Sequence, residues 1–332
     1  MAEPVELVTF GEAMLRLSAP SHERLEQATW FRIHVGGSEL NVAVAAARLG
    51  LSARFITRLT RSPLGRMVEN KAREQGVDTS HIAWTDGDRI GTYYLEGGAA
   101  PRANAVVYDR SGSAAANIHP GEVDWRAALS GAKAFHVSGI TPALSSTASE
   151  ATSEAIDAAR EAGVLVSVDL NYRARLWSPP EARAVMTEVV RAADILITTE
   201  EDTERVFGIR AESYEDVARQ LAEEFDLGIV AITLRENPSV WRNTWTAIAY
   251  ERAADTIHRG PTYDIEVVDR VGSGDAFAGG FLYGSLREGV AQGVRYGVAV
   301  SAIKQTHPGD LVFATREEVD RLLEGGGLRI AR

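Results

Sequence analysis

A doubly wound α/β fold, with a mainly parallel central sheet and helices on both faces, is what three features of this 332-residue chain predict. Short apolar runs alternate with stretches of helical periodicity. The runs are apolar without a polar residue at every second place, which marks strands covered on both faces and paired in parallel. Two of the periodic stretches stop just before a glycine, the residue that most readily turns left-handed past a helix end.

In chain order, strands are predicted at Leu7 to Phe10, Ala53 to Thr57, Ala134 to Val137, Leu165 to Val168, Ile195 to Ile197 and Ile229 to Thr233. Helices are predicted at Glu39 to Leu49 before Gly50, at Thr147 to Glu161 before Gly163, and at Tyr214 to Glu224. A ligand in such a sheet sits beyond the carboxyl ends of the strands. Residues 13 to 35 and 89 to 110 break the alternation: Ile90-Gly91-Thr92-Tyr93-Tyr94-Leu95 and Ala105-Val106-Val107-Tyr108 read as hairpin strands with no helix after them. Pro179-Pro180 and the Gly325-Gly326-Gly327 run are local punctuation, so residues 1 to 332 are expected to form one domain.

Composition narrows the function classes. The chain is 45% apolar and 24% charged, an ordinary globular balance, with a net charge of -11 that disfavours nucleic acid and anionic membranes as partners. An anionic small molecule is mildly repelled too, so it needs local cations. There is no cysteine, hence no disulfide and no thiolate metal site. No apolar run approaches membrane-spanning length and the first residues do not form a signal peptide, which together predict a cytoplasmic protein. The seven histidines show no His-x-x-x-His spacing, and His136, inside an apolar run, is expected in the core with its ring satisfied. The six tryptophans are too scattered for a base-stacking platform.

The chemistry is concentrated in Val267-Val268-Asp269-Arg270-Val271-Gly272-Ser273-Gly274-Asp275-Ala276-Phe277, an apolar strand feeding a glycine turn that opens a helix. First-turn N–H groups lack intrahelical partners and, with the helix dipole, attract an anion. Gly272 and Gly274 are expected to let the backbone bend sharply and approach a ligand. An acid beside an anion hole is electrostatically awkward, so Asp275 is read as a base for a hydroxyl that attacks a phosphoryl group. The spacing is neither Gly-x-Gly-x-x-Gly, since Phe277 holds the third position, nor a Walker loop, since the chain has no Gly-Lys pair.

Asp269-Arg270-Val271-Gly272-Ser273-Gly274-Asp275, and far upstream Gly36-Gly37-Ser38-Glu39-Leu40-Asn41-Val42-Ala43, resemble the two signatures of the ribokinase-like (PfkB) carbohydrate kinases, with Ser273 in place of the usual alanine. The resemblance implies that residues 13 to 35 and 89 to 110 form a small β lid over the sugar, through which such kinases often associate as homo-oligomers. It implies that Asp275 is the base, with the amides from Gly272 to Gly274 as anion hole, and that Gly36, Gly37 and Asn41 read sugar hydroxyls. Read alone, those three residues favour a helix cap and a solvent-facing amide.

Within the family, Asp169-Leu170-Asn171-Tyr172-Arg173-Ala174-Arg175-Leu176-Trp177, Ser138-Gly139-Ile140-Thr141-Pro142-Ala143-Leu144 and Tyr108-Asp109-Arg110 look like segments of 2-keto-3-deoxygluconate kinases. If the chain stays extended, Asp169, Asn171 and Arg173 fall on one side. The resemblance assigns Arg173 to a sugar-acid carboxylate, whose desolvation is costly unless a guanidinium meets it, with Asn171 beside it and Arg110, Tyr93 or Tyr94, and Tyr108 as lid contacts. The implied reaction is ATP-dependent phosphorylation of the terminal hydroxyl. On the nucleotide side the family's Asn-x-x-Glu motif, which organises Mg2+ through water, is replaced by Thr199 and Asp202, an arrangement that also suits a helix cap. Thr233 or Arg235 is expected at the phosphates, and Ala302, Lys304, Gln305 and Thr306 through Gly309-Asp310 resemble the family's adenine-side helix. A K+ ion is a further component about which these residues say nothing.

Overall fold

The structure, a computed structural model, describes residues 5–239 and 241–326, apart from the side chains of 236–239. The first four residues, which entered the signal-peptide argument, and Gly327 of the glycine run lie outside the described residues. In chain order the strands are β1 (Leu7–Phe10), β2 (Met14–Ser18), β3 (Arg32–Gly36), β4 (Ala53–Ile56), β5 (Arg58–Thr60), β6 (Ala83–Thr85), β7 (Gly91–Glu96), β8 (Ala105–Asp109), β9 (Ala134–Ser138), β10 (Leu165–Asp169), β11 (Ile195–Thr198), β12 (Ile229–Ser239), β13 (Arg242–Glu251), β14 (Thr256–Arg259) and β15 (Tyr263–Glu266). The helices are α1 (Ser38–Leu49), α2 (Pro63–Glu74), α3 (Trp125–Ala128), α4 (Ser146–Glu161), α5 (Pro179–Arg191), α6 (Glu200–Phe207), α7 (Tyr214–Glu224), α8 (Ser273–Glu288), α9 (Val290–Lys304) and α10 (Arg316–Leu323).

The main sheet runs β14-β13-β12-β11-β10-β9-β1-β4, with β15 also on β13. From β4 to β12 the pairing is parallel, as the uninterrupted apolar runs require. Alternate side chains of one strand enter different cores. Val8, Phe10, Val166, Val168 and Leu196 join the helices of one face, while Leu7, Ile195 and Ile197 join α1, α8 and α9 on the other. Beyond β12 the pairing reverses: β13 lies antiparallel to its predecessor, and β14 and β15 pair with β13 in the same fashion. This extension is absent from the expected parallel set; β12 itself continues past Thr233 to Ser239.

The expected hairpins form a second sheet, in the order β3-β2-β7-β8, where the antiparallel pairs β2–β3 and β7–β8 are joined by parallel pairing of β2 with β7. We call it the lid. His136 is fully buried, as expected, yet its ring is satisfied on one side only: Nδ1 lies 3.0 Å from Ser167 Oγ, and Nε2 has no partner among the described residues. Burial alone pushes its pKa down to about 3 and keeps it neutral. Among the described residues no helix is long and apolar enough to cross a membrane.

Two helices matter most for the site. They are α1, which starts just after Gly37, and α8, which starts just after Gly272. They cross so closely that a Cβ on Gly279 would lie 2.5 Å from Ala45 Cβ and 2.7 Å from the Val42 carbonyl oxygen. The crossing brings both N-termini to the carboxyl-end side of the sheet.

Candidate active site

A cleft of about 400 Å³ opens beyond the carboxyl ends of the parallel strands, with Asp169 at the end of β10, Thr198 at the end of β11 and Thr233 on β12 along its floor. The lid supplies one wall through Met14, Tyr93, Val106, Tyr108 and, just after β8, Arg110. The turn from Arg270 to Asp275 supplies another.

Asp275 stands in the first turn of α8. Ser38 Oγ donates to its Oδ1 at 2.7 Å and Asn41 Nδ2 to its Oδ2 at 2.7 Å, so α1 orients the carboxylate on both sides. Burial raises its pKa above the ordinary carboxyl value, against the lowering effect of those two hydrogen bonds and of Arg173. The Ser273 N–H is spent on the Arg270 carbonyl at 3.2 Å and the Ala276 N–H on that of Gly272 at 2.9 Å, while those of Gly274 and Asp275 meet no acceptor among the described residues. The amides left open at the helix mouth are therefore those of 274 and 275, one step further into the helix than the expected Gly272 to Gly274.

The two glycines differ in purpose. Gly272 has φ 84° and a Cβ there would lie 2.1 Å from the Asp310 carbonyl oxygen, so it makes the bend. Gly274 has no positive φ and nothing within 4 Å of a Cβ position, so it does not bend the chain but keeps the mouth of the helix open.

Strand β10 ends at Asp169, and Asn171 turns left-handed with φ 39°, so the segment does not stay extended. The turn nonetheless brings Asp169, Asn171 and Arg173 to one cleft. Asn171 Nδ2 donates to Asp169 Oδ2 and to Ser38 Oγ, both at 3.1 Å. Burial, then the neighbouring charge of Asp275, holds the Asp169 pKa well above the ordinary value. Arg173 is exposed to the cleft; its guanidinium donates only to the adjacent Tyr172 carbonyl, at 3.1 Å, and has no carboxylate partner among the described residues. Arg110 is tied to Glu12 and lies over the Tyr108 ring, 5.5 Å from its centroid. Glu39 braces the opposite wall, where its Oε1 accepts from Ser138 N, Ser138 Oγ and Thr141 Oγ1 at 2.9, 2.6 and 2.8 Å, fixing the turn that carries Ile140.

Four residues named as candidates lie away from the cleft. Tyr94 is on the opposite face of β7 from Tyr93, its ring edge-on to Phe31 at 5.8 Å, because neighbours on a strand point opposite ways. Gly36 does not line the cleft: a Cβ on it would lie 2.3 Å from Asp310 Oδ1, so it makes room for that acid. Gly37 does line the cleft, although its N–H points to Asn41 Oδ1 at 3.4 Å. Lys304 is fully buried, donates to the Asp269 carbonyl at 3.1 Å, and is pushed down to about 8 by burial. Gln305 is also buried, against Asn243. Asp310 lies beside Tyr93 and Arg16, not on an adenine side.

Thr199, Asp202, Thr233 and Arg235 also line the cleft. Thr199 caps α6, accepting from Asp202 N at 3.0 Å, and burial raises the Asp202 pKa. Among the described residues no three acidic or histidine side chains converge to cage a metal. One partly buried carboxylate suits a Mg2+ that keeps its waters and arrives on phosphates. Two contributors were not singled out from sequence, Ser38 and Arg270. Arg270 is pushed below its ordinary pKa by burial and then by repulsion from Arg235, so two guanidinium groups crowd this part of the cleft. Its place between the motif acid and the glycine turn was the available signal.

A parallel sheet with a lid, an acid at a glycine-opened helix and cations at both ends of one cleft define a phosphotransferase architecture. The chain belongs to the pfkB family of carbohydrate kinases, whose pattern it matches over residues 5–315. It is 41% identical over 330 residues, 98% of this chain and 99% of the relative, to a 2-dehydro-3-deoxygalactonokinase of Haloferax volcanii. It is 31% identical over 281 residues to a 2-dehydro-3-deoxygluconokinase of Thermoproteus tenax, covering 84% of this chain and 81% of that one. The crystal structure of a 2-dehydro-3-deoxygluconokinase from Thermotoga maritima superposes with a TM-score of 0.94 at 42% identity, over 97% of this chain and 99% of that one.

The difference between the glycines has a measurable consequence. Gly272→Ala is expected to lower the denaturation midpoint and abolish turnover. Gly274→Ala is expected to leave stability unchanged or raise it by about 0.5–1 kcal/mol, while turnover still falls because the methyl group stands at the free amides. Urea titration with a coupled ADP-release assay reads both.

Proposed function

We propose that this protein transfers the γ-phosphoryl group of ATP to the terminal hydroxyl of a 2-keto-3-deoxy sugar acid, the gluconate or its galactonate epimer, giving the 6-phosphate. The observation that carries the reading is Arg173, an exposed guanidinium in the sugar cleft with no carboxylate partner among the described residues. A neutral sugar offers such a cation hydroxyl oxygens but no charge, whereas a carboxylate meets it in a stronger, charge-assisted pair. Tyr93, Tyr108, Arg110, Asn171, Gly37 and Asn41 surround the sugar.

The hydroxyl oxygen attacks the γ-phosphorus, the bond to the β,γ-bridging oxygen breaks, ADP leaves, and the hydroxyl proton passes to Asp275. The free N–H groups of Gly274 and Asp275 donate to the oxygens of the migrating phosphoryl group, where charge accumulates. Arg235 and Arg270 hold the remaining phosphates, and the polyanion relieves their mutual repulsion. Asp202 is the residue that would hold the water shell of a Mg2+ arriving with ATP, and that ion would screen charge on the phosphate oxygens.

Asp275→Asn is expected to lower kcat by about a hundredfold or more without unfolding the protein. Because burial raises the Asp275 pKa and the base must be ionised, wild-type kcat/KM should fall as pH drops through that value. An unchanged acid limb in Asp275→Asn would remove the base assignment.

Arg173→Ala is expected to raise KM for the sugar acid by about tenfold to a hundredfold, and to leave KM for ATP nearly unchanged. A side-by-side assay of 2-keto-3-deoxygluconate, 2-keto-3-deoxygalactonate and fructose, with and without K+, tests the substrate itself. Preference for fructose would overturn the acid reading.

We also place self-association at the lid, where Ile33 and Val107 are 50% and 51% exposed. Sedimentation equilibrium should show a mass above the 35.9 kDa of one chain, and a strictly monomeric species would contradict it.

A further inference from the structure

Strand β8 is the last strand of the lid, so among the described residues one of its edges has no strand neighbour, and four of its five residues are exposed. Little apolar burial holds it, and a strand of that kind opens locally unless something ties it down. Its carboxyl end is fastened through Arg89 to Asp109 and, one residue on, through Arg110 to Glu12. Near its start a different contact reaches it from across the cleft. Arg175 Nη1 donates to the Val106 carbonyl oxygen at 2.7 Å.

The position of this bond gives it a purpose. Val106 and Tyr108, two apart on one face of the strand, both line the cleft. Behind them lies a second cavity of about 780 Å³, which shares Val106, Tyr108, Arg110 and Arg173 with the cleft and adds Arg175. Three guanidinium groups thus surround the place where the lid strand meets the loop after β10, in a chain whose net charge is -11. Arg173 and Arg175 belong to one short segment, so whatever orders one orders the other.

We propose that Arg175 is a positioning residue for the acceptor sugar: by holding the Val106 carbonyl it latches β8 over the cleft and keeps Val106 and Tyr108 against the end of the sugar that Arg173 binds. The latch acts on a backbone oxygen, so no particular lid side chain is needed for it. A ligand carboxylate on Arg173 stiffens the segment that carries the latch, and the closed latch keeps Arg173 facing the ligand. The ligand half of this proposal rests on the sugar-acid reading; the latch itself does not.

Two measurements separate them. In the free protein, deuterium exchange of residues 105 to 109 is expected to speed up about tenfold in Arg175→Ala, and to stay near wild type in Arg175→Lys, whose ammonium can still reach the carbonyl. In steady state, Arg175→Ala should raise KM for the sugar acid about tenfold and change kcat and KM for ATP by less than about twofold, with Lys restoring most of the loss. Wild-type exchange of β8 in Arg175→Ala overturns the latch, and an equal rise in both KM values overturns its role at the sugar. If the wild-type enzyme turns over no sugar acid, the proposed substrate fails, while the exchange contrast still decides the latch.

Discussion

A buried cluster of charges joins the lid to the glycine turn, and the site depends on it. Arg16 of β2 reaches Asp269 Oδ2 at 2.5 Å and Asp310 Oδ2 at 3.1 Å, with all three side chains nearly inaccessible to water. Tyr93 of β7 donates to Asp310. Asp269 also accepts from Val271 N at 3.0 Å and Gly309 N at 2.9 Å, so the first acid of the motif shapes the turn and does not enter the chemistry. Removing one member of such a cluster strands the others without a partner, a loss of about 3–5 kcal/mol. Lid and anion hole are therefore set in register by the same side chains.

Around that anchor the charges are sorted by task. Asp169, Asp202 and Asp275 all have pKa values raised first by burial, and neighbouring acids add to the rise for each of them. Arg173 opposes it in all three, which makes this one exposed cation the counter-charge of an acidic cleft as well as a candidate partner for a ligand. At the opposite end Arg235 and Arg270 repel one another. An acidic protein can thus accept two anionic substrates, because its cations stand where the negative groups must lie.

The parallel part of the sheet was legible because burial on both faces leaves uninterrupted apolar runs, and β1 (Leu7–Phe10) agrees with the expectation to the residue. The reversal at β13 was hidden, since a strand in an edge region mixes polar and apolar residues: Arg242–Glu251 alternates at first and only then becomes continuously buried. Tyr93 and Tyr94 are indistinguishable by type, and only the parity fixed by pairing with β2 decides which faces the cleft. Lys304 was expected on the nucleotide side because its segment resembles the family's adenine-side helix; the close packing of α9 turns it into the core instead.

By itself the sequence determined the sheet, the glycine-opened helix and the acid at its mouth, because these follow from local backbone geometry and from side-chain periodicity. Tertiary structure alone decided which amides remain free, which tyrosine meets the cleft, and that Ser38 and Asn41 hold Asp275 from both sides. The hold on Asp275 depends on helices α1 and α8 crossing at the distance that Gly279 permits, and the choice of tyrosine on the pairing of β7 with β2, both contacts between residues far apart in the chain that no local pattern records.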